Sequence, residues 1–242
     1  MPIEWVAHRG YAGRHPENTL AAVRAAVELG ATWIEIDVQV SRDGHVVLFH
    51  DRTLDRVCGV SGAVHERDLA ELRALHVHEP DRLGPDSARE PLTALDEVVD
   101  LVAAHPDVRL FVEVKRVAIE NHGLEETWRA VHEALRPVER QAILISFSFP
   151  IMWQAKGKLP LGFILDEWKD ADCDGLKELS PEYVFCNFTK IPDDADLSAP
   201  WRWVVYEVVD AELAARFHDR GVDLIETFEL EDMRAAFAEE TS

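Results

Sequence analysis

With 242 residues, 47% apolar content and a formal charge of -21, the chain is long enough for one large α/β domain and too acidic to be drawn at long range to nucleic acid or to anionic membrane surfaces. An anionic substrate would therefore need a locally positive site. Cys58, Cys173 and Cys186 are odd in number and lack CxxC spacing, which argues against a disulfide framework or a zinc knuckle and leaves buried or idle thiols.

The opening stretch MPIEWVAHRG has no basic n-region and no long apolar segment, and no run of about 18 apolar residues occurs in the sequence. A cytoplasmic protein without stable membrane association is expected. Strand-like and helix-like segments then alternate. The segments 4–8, 32–40 and 45–50 are β-rich, and between the first two lies a helical pattern at 20–29, with apolar Leu20, Val23 and Val27 on one face. Asn18 or Thr19 is placed to cap its start and Gly30 its end. Residues 51–92 break the rhythm. They are polar, carry Gly59, Gly62, Pro80, Gly84, Pro85 and Pro91, hold only a short helical pattern at 67–75, and read as an insertion on a rim. Helices are expected at 93–104, 124–135, 211–219 and 229–239, and strands at 108–115, 141–147, 161–165, 182–186, 203–209 and 222–227. About eight buried strands separated by helices imply a parallel sheet closed into a barrel, with residues 1–242 forming one domain.

Alternate side chains of a strand point to opposite faces. In 32–40 this puts Trp33, Glu35, Asp37 and Gln39 on one face and Ile34, Ile36, Val38 and Val40 on the other. In 108–115 it groups Arg109, Phe111, Glu113 and Lys115. The apolar faces belong against helices, so the charged ones point to the barrel axis near the C-terminal strand ends, where sites in such barrels lie. His8 at the end of the first strand, Arg9 after it and His50 at the end of the third join the same rim. Three carboxylates, Glu35, Asp37 and Glu113, cannot stay ionised together without a counter-charge. A divalent cation is the economical one, and all-oxygen ligation suits Mg²⁺ or Ca²⁺ better than zinc. A cation with Arg9 and Lys115 would hold phosphate oxygens, while His8 and His50 divide general acid and base work.

The ordered set HRG (8–10), PENT (16–19), EIDV (35–38), DG (43–44), HD (50–51), EVK (113–115), SF (146–147) and GVDLIET (221–227) resembles the glycerophosphodiester phosphodiesterases through nearly the whole chain. The resemblance implies a TIM (β/α)8 barrel with a small insertion after the His-Asp element. It implies a divalent metal on Glu35, Asp37 and Glu113, with Mg²⁺, Ca²⁺ or Mn²⁺ as candidates, and His8 and His50 as the acid–base pair. Arg9 and Lys115 would contact phosphate and Glu17 would support the site. The expected reaction is hydrolysis of a small glycerophosphodiester to sn-glycerol 3-phosphate and an alcohol.

Three departures from the family pattern bear on the substrate pocket. YEVV (206–209) stands where a Trp-Thr-Val-Asn element is usual and places Glu207 near the mouth, Glu226 replaces an apolar residue, and Phe228 replaces an aspartate. The segment 187–202 is too short for a full helix between its flanking strands. Asn18 is assigned to the turn or cap, and HVHE (76–79) and His15 to solvated loops. Two other functions compete: a lysophospholipase D-like phosphodiesterase taking a lipid, and a non-catalytic barrel that binds a phosphorylated metabolite.

Overall fold

The structure, a computed structural model, describes residues 3–240, with side chains described to residue 237. Residues 1, 2, 241 and 242 of the expected 1–242 domain lie outside the described residues. Eleven strands are described: β1 Glu4–Ala7, β2 Trp33–Val40, β3 Val46–Leu48, β4 His76–Val77, β5 Glu90–Pro91, β6 Arg109–Val114, β7 Ala142–Ser146, β8 Leu161–Ile164, β9 Tyr183–Asn187, β10 Arg202–Tyr206 and β11 Leu224–Thr227. Eight of them pair in parallel in the cyclic order β1, β2, β6, β7, β8, β9, β10, β11 and back to β1. With helices between successive barrel strands everywhere except between β9 and β10, this is a TIM barrel.

The segment 45–50 is not a barrel strand. It returns antiparallel along β2 as β3, with Val38 opposite Leu48 and Val40 opposite Val46. Asp43-Gly44, with Gly44 at φ 87°, turns the chain back on itself, as Asp-Gly favours between two β-rich runs. His50 therefore follows a strand that runs back down toward Asp37, whose carbonyl accepts from the Phe49 amide.

Residues 51–92 form short pieces: helices Asp55–Cys58, Leu69–Leu72 and Pro80–Leu83, one 3-10 turn, and the β4–β5 pair. The helical pattern at 67–75 survives only over Leu69–Leu72. These pieces have their own small core, which includes Leu54, Val64, Leu72, Val77 and Leu92. Between β9 and β10 the only helical piece is a 3-10 turn at Phe188–Lys190. Trp203 is covered there by Trp168, stacked at 5.2 Å, and donates its indole N–H to the Leu197 carbonyl. Burial raises the Cys58 thiol to about 11 and the Cys186 thiol to about 12, so both are idle as nucleophiles.

Strand parity separates two cores. Ile34, Ile36 and Val38 pack outward with Leu110, Val112 and the helices. Trp33, Phe111, Tyr183 and Phe185 fill the barrel interior, with Trp33 stacked 5.1 Å from Phe111 and Phe185 edge-on to the same ring. This aromatic plug closes the lower barrel. The polar residues of β2 and β6 lie above it, at the C-terminal strand ends.

The turn after β1 decides where the first polar residues sit. Gly10 has φ 77° and donates its N–H to the Glu35 carbonyl. A Cβ there would meet the Ala22 backbone at 2.7 Å. Gly10→Ala combines left-handed strain with overpacking against the helix Leu20–Glu28, so urea denaturation is expected to show a loss of roughly 2–4 kcal/mol. A loss below about 1 kcal/mol would contradict the close approach.

Candidate active site

The loop between β1 and the helix Leu20–Glu28 supplies His8, Arg9, Glu17, Asn18 and Thr19. Thr19 is the helix cap, its hydroxyl accepting from the Ala22 amide at 3.2 Å. Asn18 is not the cap. It sits at φ 53°, donates its side-chain amide to Asp37 Oδ2 at 2.8 Å, and accepts from the Asp37 backbone N–H at 2.9 Å. The cap reading is thus corrected: Asn18 does lie in the turn, but its left-handed backbone aims the amide at β2. Arg9, at φ 56°, donates its backbone N–H to Glu35 Oε2. Its guanidinium lies 3.0 Å from Glu17 Oε1 and 3.2 Å from Asp37 Oδ2. Among the described residues, Arg9, Asn18 and Glu207 are three of four non-glycine residues with positive φ, and strained backbone of this kind gathers at sites the fold holds in place.

Glu35, Asp37 and Glu113 offer oxygens that all lie within 4.8 Å of one another, and all three are buried. Asp37 and Glu113 are directly paired across β2 and β6, which explains their approach. Lys115 Nζ lies between them, 3.2 Å from Asp37 and 2.8 Å from Glu113. Burial opposes ionisation of Asp37, but Lys115 and Arg9 prevail and hold its carboxyl far below the usual carboxylate range. Glu35 shows the opposite balance: burial, then the charges of Asp37 and Glu226, push it well above that range.

His8 and His50 both line one cleft of about 640 Å³, open to solvent, together with Arg9, Lys115, Glu35 and Glu113. The structure thus brings seven of the eight expected site residues to or beneath a single opening. The eighth, Glu17, stands behind Arg9. His50 is half-buried, and its Nδ1 is 2.7 Å from Asp51 Oδ1. Burial first, then the Arg9 charge, keeps His8 well below its usual value and therefore neutral.

Glu226 is a further residue of the site. Its Oε1 lies 3.1 Å from His8 Nε2, and Phe228 stacks on the imidazole with centroids 4.3 Å apart. Parity contained the signal, since Leu224 and Glu226 share a face of β11 opposite Ile225. Glu207 is on the cleft wall and accepts from the Asn187 amide at 2.6 Å. His76 and His78 belong to no close ligand group among the described residues. Glu79 of the same stretch is buried, accepts the Glu17 N–H at 2.8 Å and pairs with Arg82. It is thus an anchor of the insertion, not a solvated loop residue. His15 lies against Tyr11, outside the cleft.

Residues 8–227 match the glycerophosphoryl diester phosphodiesterase family. The chain belongs to that family. Over 166 residues it is 37% identical to "probable glycerophosphodiester phosphodiesterase 1" of Mycobacterium tuberculosis, a match covering 64% of this chain and 61% of that protein. Over 156 residues it is 35% identical to a glycerophosphodiester phosphodiesterase of Caldanaerobacter subterraneus, covering 64% of this chain and 62% of that one. The matched stretch thus spans somewhat less than two thirds of these relatives. Among solved structures, an Oleispira antarctica phosphodiesterase in complex with the product sn-glycerol-3-phosphate superposes with a TM-score of 0.84 at 26% identity, covering 98% of this chain and 97% of that one. Family membership and the superposition agree with the barrel described above.

Proposed function

We propose that this chain hydrolyses small glycerophosphodiesters to sn-glycerol 3-phosphate and an alcohol, with the barrel and its insertion acting as one domain. The observation that carries this reading is the buried carboxylate trio opening on a cleft that also holds two imidazoles and two fixed cations. Simple binding of a phosphate ester needs the cations. It does not need two imidazoles placed on one cleft, one to take a proton and one to give it.

The residues fit a hard divalent cation. Glu35 Oε1 and Glu226 Oε2 are buried without a hydrogen-bond partner, an arrangement that is costly unless something else satisfies them. Glu35, Asp37 and Glu113 would hold the ion, and their oxygens suit Mg²⁺, Ca²⁺ or Mn²⁺. When bound, such an ion supplies Lewis-acid polarisation of the phosphoryl oxygens. Arg9 and Lys115 neutralise the same oxygens, with Glu17 holding the Arg9 guanidinium in place. One histidine takes a proton from the attacking hydroxyl while the other gives one to the departing alkoxide. An oxygen–phosphorus bond forms on one side as the phosphorus–oxygen bond to the alcohol breaks on the other. The attacking hydroxyl is water or a neighbouring hydroxyl of the substrate.

Among the described residues, no helix is long and apolar enough to cross a membrane. Together with the acidic charge, this supports action in the cytoplasm on a free small molecule, apart from nucleic acid and without stable membrane association. The test is a panel of glycerophosphodiesters and lysophospholipids, reading glycerol 3-phosphate from the former, lysophosphatidate from the latter and the released alcohol from both. Release from the water-soluble diesters is expected. Preference for lysophospholipids would replace the reading with a lipid-directed one, and tight binding without turnover would replace it with a binding protein.

A further inference from the structure

Arg56 belongs to the helix Asp55–Cys58 of the insertion and does not line the cleft. Its guanidinium nevertheless grips two carboxylates at short range, those of Asp51 and Glu17, with Glu79 Oε1 farther off at 3.4 Å from Nη1. Nε and Nη2 lie 2.6 and 3.1 Å from the two oxygens of Asp51. Nη2 and Nη1 lie 2.6 and 3.1 Å from the two oxygens of Glu17. Each carboxylate continues to a site residue: Asp51 Oδ1 is 2.7 Å from His50 Nδ1, and Glu17 Oε1 is 3.0 Å from Arg9 Nη1. We infer that Arg56 is a positioning residue for the reaction, a single planar fork that sets the His50 imidazole through Asp51 and the Arg9 guanidinium through Glu17. The inference rests on the roles proposed above for His50 and Arg9.

Geometry explains why arginine is used. A guanidinium can hold two carboxylates bidentately at fixed angles, whereas a lysine ammonium offers a single point. The two arms depend on it unequally. Arg9 keeps a second anchor in Asp37 and a third, through its backbone, in Glu35. The Asp51 carboxylate has no side-chain partner besides His50 and Arg56 among the described residues. Held by Arg56, Asp51 keeps Nδ1 of His50 engaged and leaves Nε2 for the cleft, as an oriented carboxylate does for a catalytic imidazole. Loss of Arg56 should therefore act on turnover through His50 more than on affinity through Arg9.

The test compares Arg56→Met and Arg56→Lys with Arg82→Met in the full chain with Mg²⁺ present. Arg82 also ties the insertion to the β1 loop, through Glu79 and the Ala12 and His15 carbonyls, but touches neither Asp51 nor Glu17. Arg56→Met is expected to lower kcat by about 10–100-fold with KM changed by less than about 3-fold, Arg56→Lys to recover part of the loss, and Arg82→Met to change kcat by less than about 3-fold. In the resting protein, 15N NMR of His50 should show the Nδ1–H tautomer, mixing with the other form in Arg56→Met. Wild-type kcat in Arg56→Met, an equal loss in Arg82→Met, or a kcat loss with an unmoved tautomer would each overturn the inference. Full turnover in His50→Ala would remove the catalytic reading instead, while the tautomer measurement still reports on the bridge.

Discussion

His8→Ala and His50→Ala are each expected to cut kcat by roughly 10²–10⁴-fold. The two losses should differ in their side effects. His50 is half-exposed and tethered at one nitrogen, so its removal should leave the thermal midpoint within a few degrees of wild type. His8 is buried against Glu226 and Phe228, and its removal opens a void beside an unpaired carboxylate. His8→Gln retains bulk and a polar group there, and is the better probe of chemistry at that position. KM should move little in all three variants, because Arg9 and Lys115 remain. Steady-state kinetics beside a thermal melt separates the cases. Wild-type turnover in both His8→Gln and His50→Ala would remove the pair from the mechanism.

Stripping the divalent cation is expected to abolish turnover, and Glu113→Gln to weaken cation binding by roughly two decades or more, read by calorimetry in the absence of substrate. The charge balance motivates this. With Glu207 and Lys190 on the cleft wall offsetting each other, the buried Glu35, Asp37, Glu113 and Glu226 bring four negative charges against the positive charges of Arg9 and Lys115. The deficit is two, the charge of one such ion. Without it the site must draw protons instead. Burial and then the Asp37 charge raise both Glu35 and Glu226 well above their ordinary value of 4.5.

A carboxyl whose value is raised on folding binds protons in the folded state that the unfolded chain has released. Its contribution is therefore complete below the ordinary value and is lost as pH rises through the raised one. Chelated protein should accordingly be less stable near pH 8 than near pH 5, and Mg²⁺ should erase much of that difference by displacing the protons. Urea titrations at both pH values, with Mg²⁺ or with chelator, check this. Equal stability of the chelated protein at the two pH values would contradict it, as would chelator-insensitive turnover.

Most of the site was legible in the sequence because a strand's two-residue period is strict. Once 32–40 and 108–115 are read as strands, Glu35, Asp37 and Glu113 must face the axis, and they do. The same rule applied to 222–227 places Glu226 beside His8, although the family resemblance draws attention away from that position. The segment 45–50 was harder because β-propensity carries no direction; the direction lay in Asp43-Gly44. Asn18 and Arg56 were out of reach for another reason. Their partners lie 19 residues away and, for Arg56 and Glu17, 39 residues away in sequence, along loop paths that no periodicity encodes. The missing helix between β9 and β10 could be inferred from length alone, whereas the tryptophan packing that covers the gap could not.

The barrel closes where β1 meets β11, so His8 from near the beginning of the sequence touches Glu226 from near its end. During synthesis the first strand must wait, with one edge bare, until more than two hundred further residues have emerged. On the proposed reading, a nascent chain would complete its site only when β11 docks, and any break that frees that strand would part His8 from Glu226 at the same stroke.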